Sequence, residues 1–136
     1  MRWADQLIRL ATYQVELLQG RLAEITQRRD ACEVRLALLT AQGEAELALA
    51  RGDPEAAWRL GEFAEGLKAR KAAVRREIDL AGREEQGARE ALAEAFETLK
   101  KYERVADNAR AAVARETSRR EGAVLDEMGL RRASGR

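Results

Sequence analysis

The side chains that most often carry out enzymatic chemistry are scarce in this chain of 136 residues. It has no histidine, and its single cysteine is Cys32. Its two serines, Ser118 and Ser134, have no base placed to activate them as nucleophiles. It also lacks a glycine-rich phosphate-binding loop and a pair of cysteines spaced for a metal. The sequence therefore predicts a protein that is not an enzyme and that holds no cofactor or metal.

Charged side chains are abundant, and they are candidates for binding other macromolecules. They make up 36% of the chain, yet the net charge is only +1, so overall charge predicts neither nucleic-acid nor membrane binding. Residues 110–120 carry one glutamate and four arginines: Arg110, Arg115, Arg119 and Arg120. This stretch could meet an acidic protein surface or a phosphate backbone, or it could be a solvated face. No aromatic residue lies between the arginines, which disfavours binding to single-stranded nucleic acids.

Two long runs of apolar residues, spaced alternately by three and four, must position these side chains. The first run is Ala4, Ile8, Ala11, Val15, Leu18, Leu22, Ile25, Arg29, Cys32, Leu36 and Leu39. The second is Leu60, Phe63 or Ala64, Leu67, Lys71, Val74, Ile78, Ala81, Glu85, Ala88, Leu92, Ala95, Leu99, Tyr102, Ala106, Ala109 and Val113. A period of 3.5 residues predicts a coiled coil, because only supercoiling keeps so narrow a seam facing its partner.

Gly52, Asp53 and Pro54 separate the two runs and are typical of a tight turn between helices. Glycine suits the left-handed position after a helix, aspartate caps the next helix, and proline fits its first turn. The predicted fold is all-α: an antiparallel two-helix coiled-coil hairpin with unequal arms, which would form a rod. The predicted organisation is a first helix over 1–51, a turn at 52–54, a second helix over 55–128 and a basic disordered tail over 129–136.

The hairpin predicts a register and an overhang. Folding back at the turn places Leu22 near Glu85 and Ala4 near Tyr102, to within about half a heptad. The second arm then continues beyond about Arg104 without a partner. A single helix of that length is marginal in water unless something packs on it, so the overhang is a candidate binding element.

Polar residues interrupt the seam, and no segment of the sequence has the character of a membrane signal. The interruptions are Arg29, Lys71 and Glu85, which we interpret as fixing one alignment of the helices. Cys32 lies on the seam and is expected to be a buried, inert thiol in a reducing compartment. No apolar run approaches the roughly 20 residues of a membrane span, and the first residues do not resemble a signal peptide. We therefore expect a cytosolic protein.

Apolar residues outside the seam are candidate contact sites. A second stripe on the first arm consists of Trp3, Leu7, Leu10 and Leu17, with Tyr13 and Gln14 between the last two. It either adds cover for the second arm or forms a surface for another protein. Near the turn, Trp58 and Phe63 could anchor a binding partner or could pack on leucines of the first arm.

Several stretches of the sequence resemble the FliJ family of flagellar type III export proteins, especially its short alphaproteobacterial-type members. They are residues 3–10, residues 13–25, residues 100–106 and the arginine-, glutamate- and alanine-rich helix that ends at 125–128. Chain size, hairpin architecture and unequal arms also match the family over nearly the whole length.

The resemblance implies a non-enzymatic, rod-like component of the flagellar export apparatus. Such a protein would lie in the cytoplasm, peripherally at the inner-membrane export apparatus. It would be similar to the coiled coil of the rotary ATP synthase gamma subunit. It would couple the hexameric export ATPase to the export gate membrane protein, and it would take part in handling export chaperones. Neither nucleic-acid binding nor membrane insertion is implied.

The resemblance also implies that the end with the two termini faces the ATPase and that the rod reaches the gate, and hairpin geometry then gives candidate contacts at each end. The ATPase-contact candidates are Trp3, Leu7, Leu10, Arg110, Arg115, Arg119, Arg120, Val124 and Met128. The gate-contact candidates are Leu39, Trp58 and Phe63. Two other hypotheses stay open on the sequence. The chain could be a general structural coiled coil that homodimerises or scaffolds, or an arginine-lined hairpin whose binding to nucleic acid would weaken steeply with salt.

Overall fold

The computed structural model describes residues 2–135 and contains two long helices, α1 (Arg2–Ala50, 49 residues) and α2 (Pro54–Ser134, 81 residues). Met1 and Arg136, predicted to belong to the first helix and to the tail, lie outside the described residues. Arg28 pairs with Glu84, and Arg35, further along α1, pairs with the earlier Glu77 on α2. The helices are therefore antiparallel, and the predicted all-α hairpin with unequal arms is confirmed.

The turn between the helices is short and is closed by local hydrogen bonds. Gly52 has a φ of 88°, a left-handed conformation that costs a residue without Cβ little. The Asp53 backbone N–H donates to the Ala50 carbonyl at 3.3 Å. The Asp53 side chain then accepts a hydrogen bond from the Glu55 N–H at 3.1 Å, which satisfies a free donor in the first turn of α2.

Contacts within the chain group its residues into two units, each formed by segments of both helices. The turn-side unit is Glu16–Ala93, and the terminal unit is Met1–Val15 with Glu94–Arg136. The buried residues of the turn-side unit are Ile25, Cys32, Leu67, Val74, Ala81, Glu85 and Ala88. Those of the terminal unit are Ala4, Ala11, Val15 and Ala106. All of them belong to the predicted seam.

The predicted seam is buried or half-buried from Ala4 to Leu39 and from Leu60 to Ala109. Of the two alternatives on the second arm, Phe63 is half-buried and Ala64 is exposed. The last predicted seam residue, Val113, is 61% exposed. The heptad pattern therefore identifies the buried face correctly until α2 runs out of partner.

The register of the turn-side unit differs from a symmetric fold-back by about half a heptad. Gly43 faces Leu67 so closely that a Cβ on Gly43 would lie 2.5 Å from Leu67 Cδ2. Cys32 Sγ contacts Glu77 Oε2 at 3.4 Å. The symmetric count would instead place Gly43 beside Ala64. Because seam residues of the two helices must interlock, the allowed alignments recur only every seven residues. The alignment obtained by folding the chain back evenly at the turn falls between two of them.

Polar groups in the seam satisfy one another across the helices. The Glu85 side chain is almost fully buried, accepts a hydrogen bond from Arg29 Nη1 of the other helix at 2.9 Å, and forms an ion pair with Arg89 Nη2 of its own helix at 2.5 Å. Two such contacts offset the cost of burying its charge. Among the described residues, Arg29 Nε is buried without a hydrogen-bond partner. Burial, helped by the hydrogen bond to Glu77, raises the pKa of the Cys32 thiol, so the thiol stays protonated and poorly nucleophilic.

Pairing in the terminal unit extends further along α2 than the sequence predicted. Ala106 is completely buried, Ala109 is half-buried, and Arg110 Nη2 donates to Asp5 Oδ1 at 3.3 Å. The expectation that α2 loses its partner after about Arg104 is therefore wrong. The unpaired segment, called the overhang below, comprises residues 111–134.

The end of α2 also differs from the sequence prediction. The helix continues through Gly129 to Ser134, whereas the sequence pattern predicted an end at Met128 and a disordered tail over 129–136. Gly129 follows the predicted end and is of the residue type that commonly caps a helix in the left-handed conformation, but Gly52 is the only described glycine with a positive φ. Arg131 pairs with Glu127 one turn back at 3.1 Å, and basic residues suit the C-terminal end of a helix dipole.

The register can be measured by disulfide formation. Leu22 and Ala88 each lie three heptads from the Gly43 and Leu67 pair, so they are level in the seam. In a Cys32→Ala background, we expect Leu22→Cys with Ala88→Cys to form an intrachain disulfide on mild oxidation of dilute protein. In the control pair, Leu18→Cys with Ala88→Cys, the two positions are offset by one helical turn along the seam. This pair is expected to form its disulfide several-fold more slowly. Faster oxidation of the control pair, or only intermolecular products, would contradict this register.

Candidate partner-binding surfaces

The apolar residues near the start of α1 are only partly used by the hairpin. Leu7 is half-buried, which fits extra cover for α2. Trp3 is 53% exposed and Leu10 is 65% exposed. Tyr13 is exposed as well. A tryptophan and a leucine that remain this accessible after folding are available to a second protein.

The overhang carries an apolar groove of its own. Val124, Leu125 and Met128 line it, together with Arg120 and Glu121, and its volume is about 450 Å³. All three apolar side chains are at least half exposed. An unpaired amphipathic helix of this kind typically orders fully only when its apolar side is covered. Val124 and Met128, two of the predicted contact residues, thus lie together.

Most of the predicted arginines are engaged with neighbouring carboxylates. Arg110 contacts Asp107 as well as Asp5, both at 3.3 Å. Arg119 and Arg120 both donate to Glu116, at 2.8 and 3.1 Å. These hydrogen bonds lower the pKa of Glu116 below its ordinary value, with the larger effect from Arg119 and the smaller from Arg120. The same contact raises the pKa of Arg119. Residues 111–134 contain five arginines and four acidic residues, so the overhang has a formal charge of +1.

The three predicted gate-contact residues occupy different environments in the turn-side unit. Trp58 is 75% exposed and lies beside Pro54 and Glu55. Phe63 is half-buried, lines a separate groove with Leu49, and has the Arg70 guanidinium 6.0 Å from its ring centroid. Leu39 is half-buried in the seam. Trp58 is therefore the accessible member of the set, whereas Phe63 lies near Leu49 of the first arm.

The sequence pattern as interpreted above did not predict a further apolar stripe, which lies on the outside of α1. This outer stripe consists of Ala31, Val34, Leu38, Ala41, Ala45 and Ala48. Every member is exposed, with Leu38 at 64%. Its spacings alternate between three and four, as in the seam, so the same periodicity in a different phase was the signal that could have found it.

Neither a metal site nor a membrane span is found in the described part of the chain. Within residues 2–135, no three histidine, cysteine or acidic side chains are grouped so that they could bind a metal ion. Over the same residues, neither helix has a stretch of sufficient length and hydropathy to cross a lipid bilayer.

Comparison with known proteins identifies the family. The profile described as flagellar FliJ protein matches residues 4–136. Two curated flagellar FliJ proteins of Caulobacter vibrioides, from strains NA1000 / CB15N and ATCC 19089 / CIP 103742 / CB 15, are each 49% identical over 133 residues. Each alignment covers 98% of this chain and 96% of the relative. No solved structure matches the chain significantly. The chain therefore belongs to the flagellar FliJ family, whose members are non-enzymatic components of the flagellar export apparatus.

Proposed function

We propose that this protein is a stalk that couples the hexameric export ATPase to the export gate membrane protein. It would do so at the cytoplasmic side of the inner membrane and would also take part in handling export chaperones. The terminal unit would contact the ATPase, and the turn-side unit would contact the gate. Family membership and the absence of catalytic machinery from the sequence support a mechanical role over a chemical one.

The observation that carries this proposal is the overhang. It is a helix of about 24 residues with an exposed apolar groove and a positive charge, and it has no partner in the described residues. The exposed Trp3 and Leu10 lie in the same terminal unit. A helix with both apolar and cationic faces suits a ring whose central opening offers apolar and acidic groups in turn.

Coupling would follow from asymmetric contact. A single stalk cannot touch six ATPase subunits equally, so at any moment it lowers the free energy of one nucleotide state in some subunits more than in others. Such differential binding changes which subunit hydrolyses ATP without any nucleotide contact from the stalk itself. The continuity of α1 and α2 through both units supports the transmission of that bias along the chain.

The test is an ATPase assay with the purified export ATPase, titrated with this protein. We expect saturable stimulation of ATP hydrolysis, with an increase in kcat. A scaffolding coiled coil would bind the ATPase in a pull-down and leave its rate unchanged. Absence of both binding and stimulation would contradict the proposal.

At the other unit, Trp58 is the residue most suited to anchor the gate. It is large, aromatic and exposed, which are the properties of side chains that dominate protein interfaces. Phe63 would support that surface from its half-buried position, while Leu39 would act through the seam beneath it.

A further inference from the structure

The outer stripe gives α1 two apolar faces in the turn-side unit. The seam face, which includes Ile25, Cys32 and Leu36, is covered by α2. The outer stripe lies across the helix from that face and remains exposed over residues 31–48. Alternating three- and four-residue spacing is the pattern that a second helix needs in order to interlock with the first.

We propose that the outer stripe is a self-association surface, on which two copies of this chain pair their α1 helices antiparallel about a twofold axis. In this register Leu38 of each copy packs on Ala41 of the other, and Val34 packs on Ala45. A surface of this kind is self-complementary, as a twofold interface requires. The proposal is independent of the contact with the ATPase, since it uses only the turn-side unit.

Side-chain size favours the antiparallel orientation. The large members of the outer stripe, Val34 and Leu38, lie in its first half, and the small members Ala41, Ala45 and Ala48 lie in its second half. Reversing the second helix therefore sets Val34 and Leu38 against alanines and leaves one layer of alanine against alanine, Ala31 with Ala48. A parallel pair would instead set leucine against leucine in one layer and alanine against alanine in others.

The charges at the edges of the outer stripe agree with the same register. Asp30 of one copy falls beside Arg51 of the other, and symmetry repeats this pair at the opposite end. Neither residue has an ion-pair partner among the described residues of its own chain. No two like charges face each other at these edge positions. A parallel pair would have to use Arg35, which is already bound to Glu77 at 3.1 Å.

A groove beside the outer stripe offers a place for the most exposed large apolar side chain. Leu49 is 77% exposed, more than any other large hydrophobic residue described. In the antiparallel register it reaches the level of Arg28 and Ala31 of the second copy. A groove of about 430 Å³ opens there, and its apolar lining includes Ala31 and Leu80. Leu49 of each copy would thus enter the groove of the other copy, which gives two such contacts in the dimer.

The contact is short, and its strength is expected to be modest. A stripe of 18 residues spans about 27 Å at the helical rise of about 1.5 Å per residue. Two helices crossing over that length bury less than the roughly 1,600 Å² of a standard interface. We therefore expect a reversible dimer with a Kd in the range of roughly 1–100 µM.

Sedimentation of the full chain tests self-association. We expect the weight-average mass to rise from the 15.2 kDa of one chain toward twice that value as concentration increases. Leu38→Glu places a charge in the centre of the contact and is expected to raise the Kd at least tenfold. The matched control is Leu10→Glu, which has the same residue type, helix and exposure (65% against 64%) and is expected to leave the Kd unchanged. Both sites are exposed, so neither change disturbs the fold.

Mixed disulfides test the orientation. In a Cys32→Ala background, a mixture of Val34→Cys chains and Ala45→Cys chains is expected to give a crosslinked heterodimer, while either variant alone gives little. Self-crosslinking of Val34→Cys chains would mean a parallel pair and would overturn the proposal. A monomer at all concentrations, or equal effects of the two glutamate variants, would also overturn it. If Leu38→Glu abolished binding to the export gate while the wild-type chain stayed monomeric, the outer stripe would belong to another protein.

Discussion

Replacing Val74 by aspartate is expected to unfold most of the hairpin. Val74 is 2% exposed and lies in the seam of the turn-side unit, where most of the buried residues are apolar. A buried, unpaired carboxylate costs about 3–5 kcal/mol, against a total stability of about 5–15 kcal/mol for a typical domain. We expect a large loss of helical circular dichroism at 222 nm on mild heating and a much lower urea midpoint.

The matched control for that change is Arg75→Asp, which introduces the same residue at the next position. Arg75 is exposed, and surface substitutions of this kind change stability by less than about 1 kcal/mol. Both variants introduce aspartate at adjacent positions of α2 and differ in lost helix propensity by only about 0.5 kcal/mol, so a difference of several kcal/mol between them reports burial. Similar urea midpoints for both variants would mean that the seam of α2 is in a different phase.

Truncation after Ala112 is expected to abolish stimulation of the export ATPase while leaving the hairpin folded. The cut keeps the half-buried Ala109 and the contact between Arg110 and Asp5, and it removes the apolar groove around Val124 and Met128. We expect the urea midpoint of the truncated chain to match that of the full chain, while the rate of ATP hydrolysis stays at its unstimulated level. Full stimulation by the truncated chain would move the contact to another part of the protein.

Charge reversal separates the cationic part of that surface from its apolar part. Arg119→Glu with Arg120→Glu is expected to weaken stimulation, most strongly at low salt, where surface charges are least screened. The same change also sets like charges around Glu116, so circular dichroism must show that the overhang remains helical. Arg75→Glu with Arg76→Glu, two adjacent exposed arginines of the turn-side unit, is the matched control and is expected to stimulate normally.

How far the sequence predicts this structure depends on which property is considered. The buried face was predictable residue by residue, because a 3.5-residue period marks it without reference to the partner helix. The register was not, because the same period allows several alignments, and the contacts that distinguish them, such as Gly43 with Leu67 and Cys32 with Glu77, are visible only in the structure. The end of α2 was misplaced because Gly129 resembles a cap in sequence, yet its φ is not positive in the structure.

The candidate contact surfaces were predicted less evenly. Exposure of Trp3, Leu10 and Trp58 follows from their lying outside the seam. The half-burial of Phe63 and Leu39 follows in the same way from their positions on the predicted seam, which makes both less accessible to a partner than Trp58. The outer stripe was not predicted because the longer seam dominates the apolar pattern of the same helix. A periodic pattern of apolar residues identifies an exposed surface but does not identify the protein that binds to it.

The contact between Asp5 and Arg110 has a consequence for how the newly made chain folds. These residues are 105 positions apart, whereas Arg35 and Glu77, nearer the turn, are separated by 42. Closing a longer loop costs more entropy, so pairing is expected to begin near the turn and to spread toward the termini. During synthesis at about 5–20 residues per second, Trp3 and Leu10 leave the ribosome before the part of α2 that pairs with their stretch of helix, so this stretch is among the last to find its partner. The nascent N-terminus therefore spends several seconds as an unpaired apolar segment, and that interval is when a molecular chaperone has most to bind.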